Sequence, residues 1–376
     1  MRVGVDAREA FRHNPRGIGL YARHLMREFS ALCPDDEFLL YHEREQPPDM
    51  PPIPANMRGV RTEIPGSRLH TWERCAMPWR LRRDGLDVYH GTYNTLPPRW
   101  PLWSGPPMVV SLHDIIVTWF EDDLSDSYVR YCRQVTGRVV RQADAILTVS
   151  EWSKNDIVER YGAAPEKVTV FYNGVHPDFL AGPPDGAADR ARATHAGDRP
   201  YIYAIGSALD RKNTGPMIDA LGILHQRGRL EHAVLISGLS PAQRQPFVER
   251  AARAGLGEQV KFLDYVDRSE LIGLYAGADL SVYPSLVEGW GIPVIESLAL
   301  GTPVVTSHTS GMKEAGGPHA TFFDPEDVES MAAGIEAALD ARSDFAAVQP
   351  AAVERARGFT WRRAAEITLE TYQRLT

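Results

Sequence analysis

The chain has 376 residues, 43% of them hydrophobic and 24% charged, enough apolar sequence to fill the cores of about two globular domains. A formal net charge of −8 argues against a general nucleic-acid binder, which would carry a basic balance. The three cysteines, Cys33, Cys75 and Cys132, fall at no metal-ligand or redox spacing and point to a reducing cytoplasm, and no apolar run reaches the ~20 residues of a membrane span.

From the N-terminus, "MRVGVDAREAF" reads directly as a strand, with no signal-peptide h-region. Helical periodicity follows in "GLYARHLMREFSAL", then strands are predicted at "EFLLYH", "LDVYHG", "PMVVSLHD" and "ADAILTVS". A helix at "SEWSKNDIVERYG" leads to the strand "KVTVFYNGV". A second set opens with "YIYAIGS" and the helix "TGPMIDALGILHQRG", and continues through strands at "HAVLISG", "VKFLDYV", "ADLSVYPS" and "PVVTSH". Such alternation predicts parallel sheets covered on both faces. The two sets are separated by "LAGPPDGAADRARATHAGDRP", residues 180–200, whose Ala, Gly, Pro and Asp content and poor apolar periodicity predict a linker. The expected division is 1–180, a linker over 181–200, and a second domain from 201.

Ligands of doubly wound sheets bind beyond the carboxyl ends of the strands, where helix N-termini offer N–H donors. Several candidates occupy such ends. In "GSALDRKN", Arg211 and Lys212 put two cations at the start of a helix, suited to a pyrophosphate, although adjacent basic residues in a loop are commonly just solvated. In "YPSLVEGWGIPVIESLALGTPVVTS", residues 283–307, Glu288 stands in a Gly-rich loop and Glu296 about two turns along the following helix. Gly289 and Gly291 allow close backbone approach, and Pro293 suits the first helical turn. One carboxylate can accept hydrogen bonds from sugar hydroxyls and the other from a ribose diol; the plainer alternative is a helix N-terminus decorated with acids. Glu296 resists that alternative, because an acid amid so much apolar sequence requires a partner. His113 closes the strand "SLHD", where a structural hydrogen bond is an equal reading, and "RGIG", residues 16–19, is a Gly-rich turn without the GxGxxG spacing. No Walker-type, HExxH or GxSxG motif, Cys/His cluster or Asp-x-Asp pair is present.

The "EGWGIPVIE" segment resembles the E-x7-E signature of family-4 retaining glycosyltransferases, and the likeness extends over nearly the whole chain. "GVDAR…RGIGLYARHL", "VSLHDI", "LTVSEWSKNDI", "YNGV", "GSALDRKN", "FLDYV", "ALGTPVVTS" and "FTWRRAAEITLETY" fall in that family's order, closest to bacterial mannosyltransferases of polysaccharide and O-antigen assembly. The resemblance implies the α/β GT-B fold: two doubly wound, Rossmann-like domains facing a deep cleft, the second over 201–358, with a final helix in 359–376 crossing back to the N-terminal domain.

It also implies roles for individual residues. Lys212 and Arg211 match the pair that neutralises the donor diphosphate, Glu296 the carboxylate on the ribose, and Glu288 the one facing the donor sugar. Gly291, Ile292 and Pro293 match a loop whose N–H groups face sugar and phosphate, and Val266 the main-chain seat of the base. His113 matches a histidine that reaches the sugar, and Gly17 and Gly19 a glycine loop facing the diphosphate. Ser207 replaces an arginine of some relatives, leaving the cationic load on Arg211 and Lys212, and Lys313 replaces a proline next to the retained acid Glu314. The expected activity is metal-independent, retaining transfer of a hexose from a nucleotide-sugar, with GDP-mannose favoured, to a glycan or lipid-linked saccharide. A UDP-sugar-dependent transferase, a GT-B-type UDP-sugar epimerase or hydrolase, and a nucleotide-sugar sensor are the alternatives; an oxidoreductase is disfavoured by the absent fingerprint. In "CAMPWRLRRDG", residues 75–85, Trp79 and Leu81 alternate with Arg80, Arg82 and Arg83, a pattern fitting either an ordinary amphipathic helix or peripheral contact with the inner face of an anionic plasma membrane.

Overall fold

The computed structural model describes residues 1–62, 71–99, 104–118 and 126–376. They form two compact units, the first taking the chain up to Gly174 together with Trp361–Thr376, the second Val175–Thr360. The boundary thus lies a few residues before the expected position, and the last helix belongs to the first unit.

Among the described residues, the first unit is a parallel sheet of β1 (Arg2–Asp6), β2 (Glu37–His42), β3 (Met57–Arg61), β4 (Val88–Gly91), β5 (Met108–Ser111), β6 (Ala145–Thr148) and β7 (Val168–Val170) in the order β3-β2-β1-β4-β5-β6-β7. The apolar runs form strands because both faces are covered: Val3 pairs with Phe38 on one side and Val88 on the other, and all three are fully buried. Each such side chain contributes about 1.5–3 kcal/mol. The strand β3, "MRGVR", was not predicted; as an edge strand it buries only Met57 and Val60 and leaves Arg58, Gly59 and Arg61 exposed, so it carries no apolar run. Helices α1 (Ile18–Leu32), α2 (Met77–Arg83), α3 (Asp126–Gln142) and α4 (Glu151–Tyr161) belong to this unit, α1 burying Tyr21, Leu25 and Phe29 at four-residue spacing.

In the second unit the described strands β8 (Tyr201–Ile205), β9 (Ala233–Ser237), β10 (Val260–Phe262), β11 (Leu280–Tyr283), β12 (Val304–Ser307) and β13 (Thr321–Phe323) form another parallel sheet, ordered β10-β9-β8-β11-β12-β13. The expected linker over 181–200 is folded instead. Its helix α5 (Ala187–Ala191) lies ahead of α6 (Thr214–Gln226), α7 (Pro241–Arg253), α8 (Arg268–Gly277), α9 (Ile292–Ala299), α10 (Ser310–Gly316), α11 (Val328–Asp340) and α12 (Arg342–Gly358), and it packs closely on α8. A Cβ at Gly273 would lie 2.8 Å from the Ala187 carbonyl oxygen. The small residues that read as linker composition are therefore a close helix–helix contact, with Ala187, Ala191 and Ala196 buried.

The final helix α13 (Trp361–Gln373) packs beside α1 in the first unit. Trp361 stacks on His24 with ring centroids 4.6 Å apart. At its other end the Tyr372 hydroxyl meets His90 Nδ1 at 2.6 Å, His90 Nε2 meets Ser111 Oγ at 2.7 Å, and Ser111 Oγ meets the Tyr21 hydroxyl at 2.6 Å. A neutral imidazole suits this buried chain, and burial pushes His90 down to about 3. Among the described residues no helix is long and apolar enough to cross a membrane.

His90 and His113 are both buried, and burial pushes His113 down to about 4. Below the ordinary value of 6.5 the unfolded chain binds a proton at each site that the fold refuses, so stability falls as pH falls. Between pH 6.5 and 5 each is expected to remove about 2 kcal/mol. Urea denaturation of Glu296→Gln, which removes the opposing titration of that acid, at a series of pH values should show this loss starting above the carboxylate range; a flat profile down to pH 5 would contradict it.

Candidate functional site

The two loops that follow the neighbouring strands β8 and β11 meet at the carboxyl edge of the second sheet. The first carries the basic pair. Asn213, in the left-handed region at φ 59°, ends the turn and starts α6, and its Nδ2 donates to the Pro325 carbonyl at 2.7 Å. Ser207 is held by Thr214: its N–H donates to Thr214 Oγ1 at 2.9 Å, and that hydroxyl donates to the Ser207 carbonyl at 2.9 Å. This fastening holds the loop at both ends and presents Arg211 and Lys212 from its middle.

The second loop carries Glu288. Its backbone is clamped from the first loop and from the segment after β12. The Leu286 N–H donates to the Arg211 carbonyl at 2.8 Å, Ser307 Oγ donates to the Ser285 carbonyl at 2.5 Å, and Thr309 Oγ1 donates to the Leu286 carbonyl at 2.8 Å. Glu288 itself is gripped twice, its N–H donating to Ser310 Oγ and its carbonyl accepting from the Gly311 N–H, each at 3.1 Å. Glycine is required at 311, where a Cβ would lie 2.2 Å from the Gly289 carbonyl oxygen.

These loops bring three charges together. Glu288 Oε1 lies 2.5 Å from Lys212 Nζ and 3.2 Å from Arg211 Nη1. The Tyr283 hydroxyl, at the end of β11, accepts from Lys212 Nζ at 2.9 Å and donates to Glu288 Oε1 at 3.1 Å. Burial pushes the Glu288 carboxyl up, but Lys212 and then Arg211 outweigh it and hold it below the usual range. Burial likewise opposes the Lys212 charge, yet Tyr283 and Glu288 keep its ammonium well above the ordinary value.

Glu296 has the opposite surroundings. It is half-buried on α9, and its carboxylate has no hydrogen bond or ion pair among the described residues. Burial pushes it up to about 8, with Arg268 pulling weakly the other way. Gly291 starts α9 and is buried against Ala315 and Met312, while Ile292 and Pro293, its first two helical residues, are half-exposed. Val266 is half-buried in the loop after β10, and Lys313 lies within α10.

The remaining candidates belong to the first unit. Gly17 starts α1 in the left-handed region at φ 49°, and Gly19 is buried against the Glu9 carbonyl. His113 is buried edge-on to Tyr21 at 4.6 Å, with Nε2 3.3 Å from the Thr92 carbonyl. That carbonyl can only accept, so Nε2 carries the proton. Tyr283, Asn213 and Ser310 went unnoticed in the sequence. Asn213, directly after a basic pair and before a helical run, carried a turn signal; Tyr283 had the look of an ordinary strand residue.

Two family models divide the chain. One described as Glycosyltransferase Family 4 matches residues 15–179, and one described as Glycosyl transferases group 1 matches residues 186–355. "O-antigen chain mannosyltransferase B" of Escherichia coli is 25% identical over 99% of this chain and 99% of its own length. "MMP alpha-(1->4)-mannosyltransferase" of Mycolicibacterium hassiacum is 27% identical over 95% of this chain and 94% of its own. Among solved structures, the sucrose-phosphate synthase of Thermosynechococcus elongatus superposes with a TM-score of 0.76 at 18% identity, over 100% of this chain and 98% of that one. Two parallel α/β units of this kind have the GT-B fold. Within it, the chain belongs to the family-4 glycosyltransferases.

An acid whose folded value is raised binds protons in the fold that the unfolded chain has released, so Glu296 costs stability as pH rises from its ordinary 4.5 towards about 8. Glu296→Gln removes that cost. Its denaturation midpoint, relative to the unsubstituted protein, should rise progressively between pH 5 and 8.5 in the absence of nucleotide. A pH-independent difference would show that the carboxylate is solvated or paired.

Proposed function

We propose that the protein is a retaining, metal-independent transferase that moves mannose from GDP-mannose to a hydroxyl of a glycan or lipid-linked saccharide in cell-surface polysaccharide synthesis. The contact of Glu288 with both Lys212 and Arg211 carries the reading, because it couples a carboxylate to the cations a diphosphate leaving group needs. The mannosyl donor is supported by the two relatives named as mannosyltransferases, one of them for O-antigen chains.

In this reading the bond between the anomeric carbon and the β-phosphate oxygen breaks, and its electron pair stays with the phosphate. Lys212, Arg211 and the N-terminus of α9 stabilise that charge, so no metal is required. The departing oxygen takes the acceptor hydroxyl's proton on the same face of the sugar. The acceptor oxygen bonds to the anomeric carbon there, with retention. Glu288 offsets positive charge developing on the sugar, and Glu296 accepts from the ribose diol.

Without donor, Glu288 is itself the counter-anion of the two cations. Glu288→Gln should therefore bind free GDP at least as tightly as the parent while kcat falls about 100-fold. Lys212→Ala should lose about 100- to 1,000-fold in kcat. These follow from a thermal-shift panel of nucleotide sugars and transfer assays with and without EDTA. Preference for a UDP-sugar would replace the donor, donor epimerisation or hydrolysis without transfer would replace the reaction, and inhibition by EDTA would end the metal-free mechanism. Near-normal Lys212→Ala turnover would show the clamp is misplaced.

We further propose that the protein works in the cytoplasm at the inner face of the plasma membrane. On α2, Leu81 and Met77 turn into the core, whereas Trp79 is 53% exposed, with the Arg83 guanidinium 5.0 Å from its ring. Arg80 and Arg82 follow it on the same helix, an arrangement suited to anionic headgroups. Co-sedimentation with vesicles containing anionic lipid should exceed that with neutral vesicles and should fall for Trp79→Ala; equal pelleting would remove the electrostatic argument.

A further inference from the structure

We propose that Tyr283 is a positioning residue for transfer: its hydroxyl, 2.9 Å from Lys212 Nζ and 3.1 Å from Glu288 Oε1, sets where the leaving-group cation and the sugar-facing carboxylate stand. The inference rests on the roles of Lys212 and Glu288 given above.

Lys212 and Glu288 both sit on loops, and the lysine reaches its place through four rotatable bonds whose restriction costs entropy. Tyr283 is anchored differently. It is the last residue of β11, paired with Thr306 on β12, and its carbonyl accepts from Thr306 Oγ1 at 2.8 Å. It is 6% exposed, and an aromatic side chain has only two rotatable angles, so the sheet itself places the hydroxyl.

Counting hydrogens shows what the hydroxyl adds. An ammonium has three N–H donors in fixed tetrahedral relation. Glu288 takes one and Tyr283 another, so the third has a defined direction and is the one left for a phosphate oxygen. The hydroxyl's own hydrogen is committed to Glu288, and burial followed by the Glu288 charge raises its pKa, so it remains a donor throughout the working range. A buried tyrosine needs only one partner to be satisfied; this one joins the two groups on which the reaction depends. Without the hydroxyl, the ammonium can rotate about its contact with Glu288, and the carboxylate loses a donor. Ground-state attraction for a diphosphate survives, because the charges remain. What is lost is alignment, which counts in the transition state.

Tyr283→Phe keeps the ring and tests the hydroxyl. It should leave the melting temperature and GDP affinity close to those of the parent, lower kcat about 10- to 100-fold, and move the acidic limb of the kcat/KM profile to higher pH. In single-turnover assays on a Lys212→Ala background, the same substitution should cost under about 3-fold, since its partner is gone. A kcat within about 2-fold of the parent, with Lys212→Ala crippled, would overturn the role of Tyr283 and leave the transfer mechanism standing. Equal losses on both backgrounds, or a matching loss of melting temperature, would reduce Tyr283 to a packing residue. Normal turnover by Lys212→Ala would instead remove the mechanism on which the inference rests.

Discussion

Opposite charges pressed together at the carboxyl edge of a parallel sheet govern the second unit. All strand ends of a parallel sheet that point one way share one edge, so loops distant in sequence meet there without a long excursion. Burying Glu288 alone would be costly, and so would burying Lys212 alone; each is tolerable because the other is present. Removing one member of such a pair strands a charge at about 3–5 kcal/mol, which explains why the surrounding backbone is so heavily fastened. The bonds from Leu286 to Arg211 and from Ser310 and Gly311 to Glu288 hold both loops at the required separation.

The two glutamates of the Gly-rich segment show how far surroundings separate identical side chains. Glu288 is kept charged by two cations, whereas Glu296, on the adjoining helix with no hydrogen bond or ion pair among the described residues, is pushed towards neutrality. Divergent carboxyl groups in one place are a signature of divided chemical labour. A half-buried acid without a hydrogen-bond partner lowers the stability of the fold.

The first unit contains its own buried charge system. Arg8 is 2% exposed, forms a bidentate contact with Asp6 at the end of β1, and reaches Glu73 at 3.3 Å, which Arg138 meets at 3.2 Å. The Arg8 guanidinium also lies 4.4 Å from the Trp72 ring centroid. Together with the chain of hydroxyls and imidazole from Tyr372 to Tyr21, it makes this unit a place where buried polar groups position one another. Directional bonds of that kind specify one arrangement more sharply than apolar packing.

Much of the architecture was legible in the residues themselves. Alternating apolar strands and amphipathic helices are dictated by period and burial, so most strands of both sheets, and the loops bearing Arg211, Lys212 and Glu288, could be placed from the letters. Edge strands such as Met57–Arg61 could not, because half their residues face solvent and leave no apolar run. Nor could the helix Ala187–Ala191, whose alanines and charged residues have linker composition until a second helix lies against them. Partnership was decided only in three dimensions. Nothing along the chain distinguishes Tyr283 from a core tyrosine, sets Glu288 against two cations while Glu296 feels only the weak pull of Arg268, or buries Arg8 between two acids. Local sequence determines which residues a strand or loop carries; the electrostatic state of each depends on what long-range folding sets within a few ångströms of it.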